Sequence, residues 1–398
     1  MQPMGAKLAD GSENRRRMQT RLALRACLFA GSGVTRWAAT GTRPNAVRVG
    51  NLAPEVRSYL GLNVPLGFDM DREVTASHDH PHESEEARSL HASLERLARG
   101  EPHDLGALLN TITIDDAVLE GTRASCCCHF LALDGNGRPR VNALVQELCT
   151  YVLQYSIPRS QIEEAYAEGE NSRSLIRLHN EARSLFTHLA NTGEGGELLL
   201  FALAESVLQL PQVICKMSLK TNPNVHYHGS DGVHASVDPA TNRLCLHWGE
   251  SKIYRSFADA LRECVASLAP YLREEYGDDA PQQRDMQLLR QNVDLADAAL
   301  EDALKTYLDP TDPQFNELEY RGLALVGFDC DRYPATPNSM TLDELNAQIS
   351  ELAPGWGRAI ASKLRESEID TFVVHCFFVP FPSVTAFRNE FLRSLGLA

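Results

Sequence analysis

A chain of 398 residues, 43% of them hydrophobic, holds one large domain or two ordinary ones and has the apolar content of a globular protein. No apolar run approaches the roughly 20 residues that span a bilayer, since residues 22–34 are interrupted by Arg25, Gly31 and Gly33; a membrane protein is excluded and a soluble one expected. The net charge of −15 is uneven, with nine basic against two acidic residues in positions 1–50 and hence −22 over the remainder, and so acidic a body repels phosphates and is a poor binder of nucleic acid by itself.

Residues 1–50 are rich in Arg, Gly, Ala and Thr without a sustained period. They read as a disordered extension, with a basic nucleic-acid arm or an Arg-rich targeting peptide as the alternative. Ser77-His78-Asp79-His80-Pro81-His82-Glu83 alternates histidines that suit a metal, yet a proline in an acidic stretch reads as a solvated linker. Order is expected from about Asp104. Residues 1–104 then form an accessory or largely disordered extension, and residues 105–398 form the folded domain.

The ten cysteines contain no C-x-x-C pair, which argues against a structural zinc site. Cys126, Cys127 and Cys128 are adjacent, and Cys215, Cys245 and Cys376 lie in apolar runs where a thiol behaves as a small hydrophobe. This usage fits a reducing cytoplasm.

Residues 124–133 read as a buried strand ending in the turn Asp134-Gly135-Asn136-Gly137. Helical spacing predicts helices over 141–155, ended by Pro158, and over 160–189. Gly193 to Gly196 predicts a break, followed by a buried helix over 197–210 that stops at Pro211. Residues 213–220 alternate, with Val213, Cys215, Met217 and Leu219 on one face and Lys216 and Lys220 on the other. Residues 231–237 and 243–254 alternate again around the turn 238–242. A helix is predicted over 256–272. Further on, 320–328 and 371–379 read as buried strands, and 285–308 as one long amphipathic helix whose apolar face packs on the core or on a partner. Phe377-Phe378-Val379-Pro380-Phe381-Pro382 reads as core, with a partner surface as the alternative.

The informative feature is where charges fall. Side chains at i and i+2 share a strand face, so Glu250 and Lys252 continue the face of Leu244, Leu246 and Trp248, and Asp231 that of Val233, Ala235 and Val237. Burying unpaired charge costs several kcal/mol. If Asp238 pairs with Arg243, Val233 falls opposite Trp248 and Asp231 opposite Glu250. Like charges about 5 Å apart across a sheet destabilise it, and a divalent cation between them is the best explanation, with Mg²⁺ or Mn²⁺ suited to oxygen ligands. Such a site hydrolyses phosphodiesters by neutralising phosphoryl charge and activating water, with Lys252 orienting the water or stabilising the charge that develops. The bland alternative is an exposed Glu–Lys pair and an aspartate opening a turn.

This block resembles the PD-(D/E)xK, restriction-endonuclease-like fold: an α/β core with a central mixed sheet flanked by helices, its catalytic part at about 195–275. Gly196-Glu197, Pro211-Gln212, Lys216-Met217-Ser218-Leu219-Lys220-Thr221, His228-Gly229-Ser230-Asp231-Gly232-Val233-His234 and Gly249-Glu250-Ser251-Lys252 are similar to the HamA family, the nuclease subunit of the bacterial Hachiman anti-phage system. The resemblance covers roughly 105–398. It implies a cytoplasmic DNase, with no membrane, that pairs with a superfamily 2 helicase, HamB, and is restrained by it until DNA degradation is triggered. It also implies that Glu197 joins the metal site, although a favourable charge at a helix N-terminus explains that residue equally well. Lys216 and Lys220 are candidate DNA-backbone contacts, with an exposed strand face as the alternative, and His228 is a candidate phosphate ligand. The competing functions are an RNase or nickase on the same scaffold and a non-catalytic regulatory or recruitment subunit of a helicase complex.

Overall fold

The computed structural model describes residues 85–100, 104–167, 172–187, 193–219, 229–273 and 280–398, all within one unit spanning 80–398. The first element, α1 (Glu85–Leu97), lies inside the segment expected to be an extension, yet it places Leu90 and Leu94 in the hydrophobic core. β1 (Leu109–Thr113) and β2 (Arg123–Leu131) pair antiparallel. The helix expected over 141–155 is two, α2 (Val141–Thr150) and α3 (Val152–Ser156), separated at Tyr151. The one expected over 160–189 is likewise two, α4 (Arg159–Ala167) and α5 (Ser172–Ser184).

The glycines expected to break the chain instead open α6 (Glu194–Ser206). The reason is close packing: a Cβ on Gly196 would stand 3.2 Å from both Ile253 and the Ser251 hydroxyl, so only glycine lets the helix approach the sheet there. Residues 213–219 form no strand. Gln212 makes a single bridge to His234, and Met217–Leu219 is a short 3₁₀ turn. Val213, Ile214, Cys215, Lys216 and Met217 are all buried, so the segment has no solvated face against which to alternate.

β3 (Gly232–Val237) and β4 (Leu244–Ile253) form the expected hairpin, and α7 (Phe257–Leu272) follows. The long helix expected over 285–308 is α8 (Pro281–Asn292) and α9 (Ala298–Tyr307). Between them, Asp294 accepts hydrogen bonds from the Arg159 and Ser160 amides, and Asp297 caps α9 through Ala299 and Leu300. Leu289, Leu300 and Leu304 are buried in the core. β5 (Glu319–Asp329), α10 (Leu342–Glu366), β6 (Val373–Phe381) and α11 (Val384–Leu395) complete the domain.

The six strands form one mixed sheet in the order β1-β2-β6-β5-β4-β3, with antiparallel pairs at both edges and parallel pairing between β2, β6, β5 and β4. Crossovers through α7 and α10 make the parallel pairs possible. The central strands are covered on both faces and so read as nearly unbroken apolar runs; Phe377, Phe378, Val379 and Phe381 belong to the core. On one face Trp248 stacks on Tyr271 of α7 with ring centroids 5.2 Å apart, and Phe257, Phe328 and Trp356 meet edge to face. On the other, α6 lies against Ser251 and Ile253. The site develops where β3 and β4 meet the first turn of α6. Among the described residues no helix is long and apolar enough to cross a membrane.

Candidate active site

The β3–β4 hairpin sets the geometry. The Asp238 amide donates to the Arg243 carbonyl at 2.9 Å, and the Asp238 carboxylate caps the turn by accepting from the Ala240 and Thr241 amides. The resulting register puts Val233 opposite Trp248 and Gly232 opposite Gly249, as the turn predicts. One residue before Gly232, where the regular pairing ends, the Asp231 amide donates to the Gly249 carbonyl at 2.8 Å.

Asp231 stands just before β3, where the pleat no longer dictates side-chain direction. Its Oδ2 accepts from the Ser251 amide at 2.7 Å and from the Ser251 hydroxyl at 2.8 Å. Glu250 is 3% exposed, and its Oε2 accepts from Lys252 Nζ at 3.1 Å. Burial, reinforced by the Asp231 charge, pushes the Glu250 carboxyl up to about 8 against the pull of Lys252 and Lys216. For Lys252, burial works to lower the ammonium pKa, but Asp231 and Glu250 together outweigh it and hold it above the ordinary lysine range. The three residues thus form one electrostatically coupled set.

Glu197 lies in the first turn of α6, where its Oε2 accepts from the Tyr155 hydroxyl at 2.9 Å. It lines a cleft of about 240 Å³ together with Asp231, Ser251, Lys252, Tyr254 and Arg388. The structure therefore brings Glu197, Asp231 and Lys252 onto one cleft, with Glu250 buried against Lys252. Lys216 is placed differently from a DNA-contacting strand residue. It is 8% exposed, and its ammonium donates to the Ser230 carbonyl, the Ser230 hydroxyl and Asp285 Oδ2 at 2.8, 2.7 and 2.6 Å. Burial lowers its pKa, opposed chiefly by Asp285. Lys220 and His228 lie outside the described residues, as do residues 77–83. His234 and His247 are buried imidazoles bonded to the Leu210 carbonyl and the Ser236 hydroxyl; burial lowers both, His234 to about 4.

Sequence reasoning missed Ser251, Tyr155, Arg388 and Asp285. Ser251 sits inside the Glu-x-Lys triplet, but strand alternation assigns it to the other face. The other three are distant in sequence and carry no local pattern. A set of three potential metal ligands, Asp238, Cys245 and Glu319, stands near the turn end of the hairpin. There Arg321 already pairs with both carboxylates, and burial pushes the Cys245 thiol up to about 12. That cluster is accounted for as an ion-pair network.

Residues 107–395 match the family model described as HamA. No curated protein matches the chain.

Proposed function

The chain belongs to the HamA family, a component of the Hachiman anti-phage defence system, and from that premise we propose that it is a metal-dependent deoxyribonuclease, the effector that a HamB-like helicase restrains and supplies with DNA. The observation that carries this reading is the coupling of Asp231, Glu250 and Lys252 beside a cleft that Glu197 also lines. The nuclease domain is then residues 105–398, with its catalytic core at about 195–275.

In this reading Asp231 and Glu250 hold a divalent cation. A carboxyl pushed up to about 8 by burial and by a second carboxylate is a group whose charge the protein alone does not compensate, and a cation held by Asp231 and Glu250 would do so. Oxygen ligands of this type suit Mg²⁺ or Mn²⁺. Once bound, such an ion supplies charge neutralisation at the scissile phosphate and acidifies a water.

The chain's own groups do the rest. Ser251 fixes the orientation of Asp231 through two hydrogen bonds. Tyr155 holds Glu197 toward the cleft. Lys252, kept cationic by its two carboxylate neighbours, stabilises charge that accumulates on the phosphoryl oxygens or orients the attacking water. The net charge of −15 makes delivery of DNA by a partner a physical need, since long-range repulsion opposes unaided binding. The free thiols of the described residues accord with action in a reducing cytoplasm.

The test is to co-purify the chain with the helicase and to incubate the complex and the isolated chain with plasmid, single-stranded DNA and RNA in Mg²⁺. Metal-dependent DNA cleavage that Lys252→Ala abolishes is expected. Cleavage of RNA alone would make the chain an RNase, and a Lys252→Ala protein as active as wild type would remove the site assignment.

A further inference from the structure

We infer that Lys216 and Asp285 form a buried latch that positions Asp231, rather than a DNA-contacting lysine and an unrelated helix residue. The inference rests on the reading of Asp231 as a metal ligand. Ser230 immediately precedes Asp231, and both of its main-chain groups are held by this one charged pair. Its carbonyl accepts from Lys216 Nζ at 2.8 Å, and its amide donates to Asp285 Oδ2 at 3.0 Å. The pair itself closes at 2.6 Å, and the Ser230 hydroxyl bridges it, accepting from Lys216 at 2.7 Å and donating to Asp285 at 3.3 Å.

The Asp231 amide, in the same peptide unit as the Ser230 carbonyl, is tied to the Gly249 carbonyl, and on the far side of Asp231 the next residue, Gly232, pairs with Gly249 in the hairpin. The backbone is therefore fixed on both sides of the residue whose carboxylate must point correctly. The three ammonium donors of Lys216 all have acceptors, which leaves none for a phosphate. Gly229 completes the arrangement, because a Cβ there would stand 2.9 Å from Asp285 Oδ2. The motif Gly229-Ser230-Asp231 is thus read as contact surface, clamp and ligand in successive positions. Asp285 is 1% exposed, and a buried ion pair adds little net stability compared with an apolar pair of similar size. Its use here is positional.

The experiment compares the full-length wild type with Lys216→Met, Asp285→Leu and the double variant. Each is measured by thermal unfolding, by calorimetric titration with Mn²⁺ and by hydrogen exchange at the Ser230 and Asp231 amides. Each single variant breaks the buried pair and lowers Tm, with Lys216→Met leaving Asp285 only the half-exposed Arg284, 3.6 Å from its other oxygen, and Asp285→Leu stranding the Lys216 ammonium. The double variant restores Tm toward wild type, yet it should bind Mn²⁺ about 10–100-fold more weakly, the usual effect of losing an outer-shell partner, and its Ser230 and Asp231 amides should exchange faster. Should the double variant not fold, Asp285→Asn, which keeps the shape without the charge, gives the same comparison. Wild-type Mn²⁺ affinity and unchanged exchange in a folded variant would overturn the latch. So would an effect confined to DNA affinity, seen as a salt slope reduced by about 0.9. If the wild type itself binds no Mn²⁺, the metal reading falls, and the exchange of Ser230 and Asp231 alone decides the latch.

Discussion

Replacing Glu250 by glutamine should make the metal-free protein more stable above neutral pH while removing its activity. The wild-type carboxyl is pushed from an ordinary 4.5 to about 8, first by burial and then by Asp231. The folded state therefore holds this proton more tightly than the unfolded chain does. The associated stability is fully present below pH 4.5 and is lost as pH rises through about 8. Each pH unit well inside that window costs about 1.4 kcal/mol, so moving from pH 6 to pH 8 removes roughly 2 kcal/mol, and complete ionisation removes up to about 5 kcal/mol. Glutamine mimics the protonated carboxyl and has no such dependence, while every other titrating group is common to both proteins. Thermal unfolding in a chelator from pH 6 to 9 should then show a gap in Tm that widens by about 3–5 °C in favour of Glu250→Gln. Added Mn²⁺ should raise the wild-type Tm at pH 8 and leave the variant unmoved, because a ligand stabilises only the state that binds it. Parallel pH profiles for the two proteins would refute the argument that Glu250 is electrostatically strained.

Lys252→Ala should lower kcat about 10²–10³-fold without unfolding the protein, because Glu250 can take up a proton when its partner at 3.1 Å is removed; single-turnover cleavage by a folded variant at the wild-type rate would contradict this. Tyr155→Phe removes the hydroxyl held to Glu197 and should cost about 1 kcal/mol of stability and about tenfold in activity; a stability loss with unchanged turnover would reduce Tyr155 to a packing residue. Leu94→Ala, at a site 1% exposed in α1, should destabilise by about 2–5 kcal/mol in denaturant titration; a smaller effect than an exposed-site control would show that α1 does not belong to the core.

The hairpin was legible in the sequence because everything that specifies it is local. The Asp238 turn, the period of two on either side and the register that sets Val233 opposite Trp248 all lie within one short stretch and require no tertiary partner. The long helix over 285–308 was misread for a related reason. Apolar residues on both sides of the break keep helical spacing, so periodicity runs through it, while the cues that end one helix and cap the next are single aspartates, Asp294 and Asp297. Helix α1 is not legible because the core contributions described for it, Leu90 and Leu94 with Leu97 packed beside them, sit on a short, strongly charged segment.

Lys216 shows where a sequence argument from charge has its limit. The reasoning that singled out Glu250 and Lys252 was that an ionisable group on an apolar face is costly and must be repaid. Lys216 meets the same criterion, since its neighbours Cys215 and Met217 are buried, but apparent alternation made it look solvent-facing. Its repayment comes from Asp285, which a helix much later in the chain delivers. Cost is therefore visible in the sequence, but the kind of repayment is not. Geometry sorts the two lysines: the Lys216 ammonium is enclosed by three acceptors, whereas Lys252 keeps 22% of its side chain exposed and lines the cleft. An enclosed charge can hold a backbone in place, and only one that reaches the cleft can act on a substrate. On the proposed reading, that division makes Lys216 a positioning residue and Lys252 the one whose loss should fall on the chemical step.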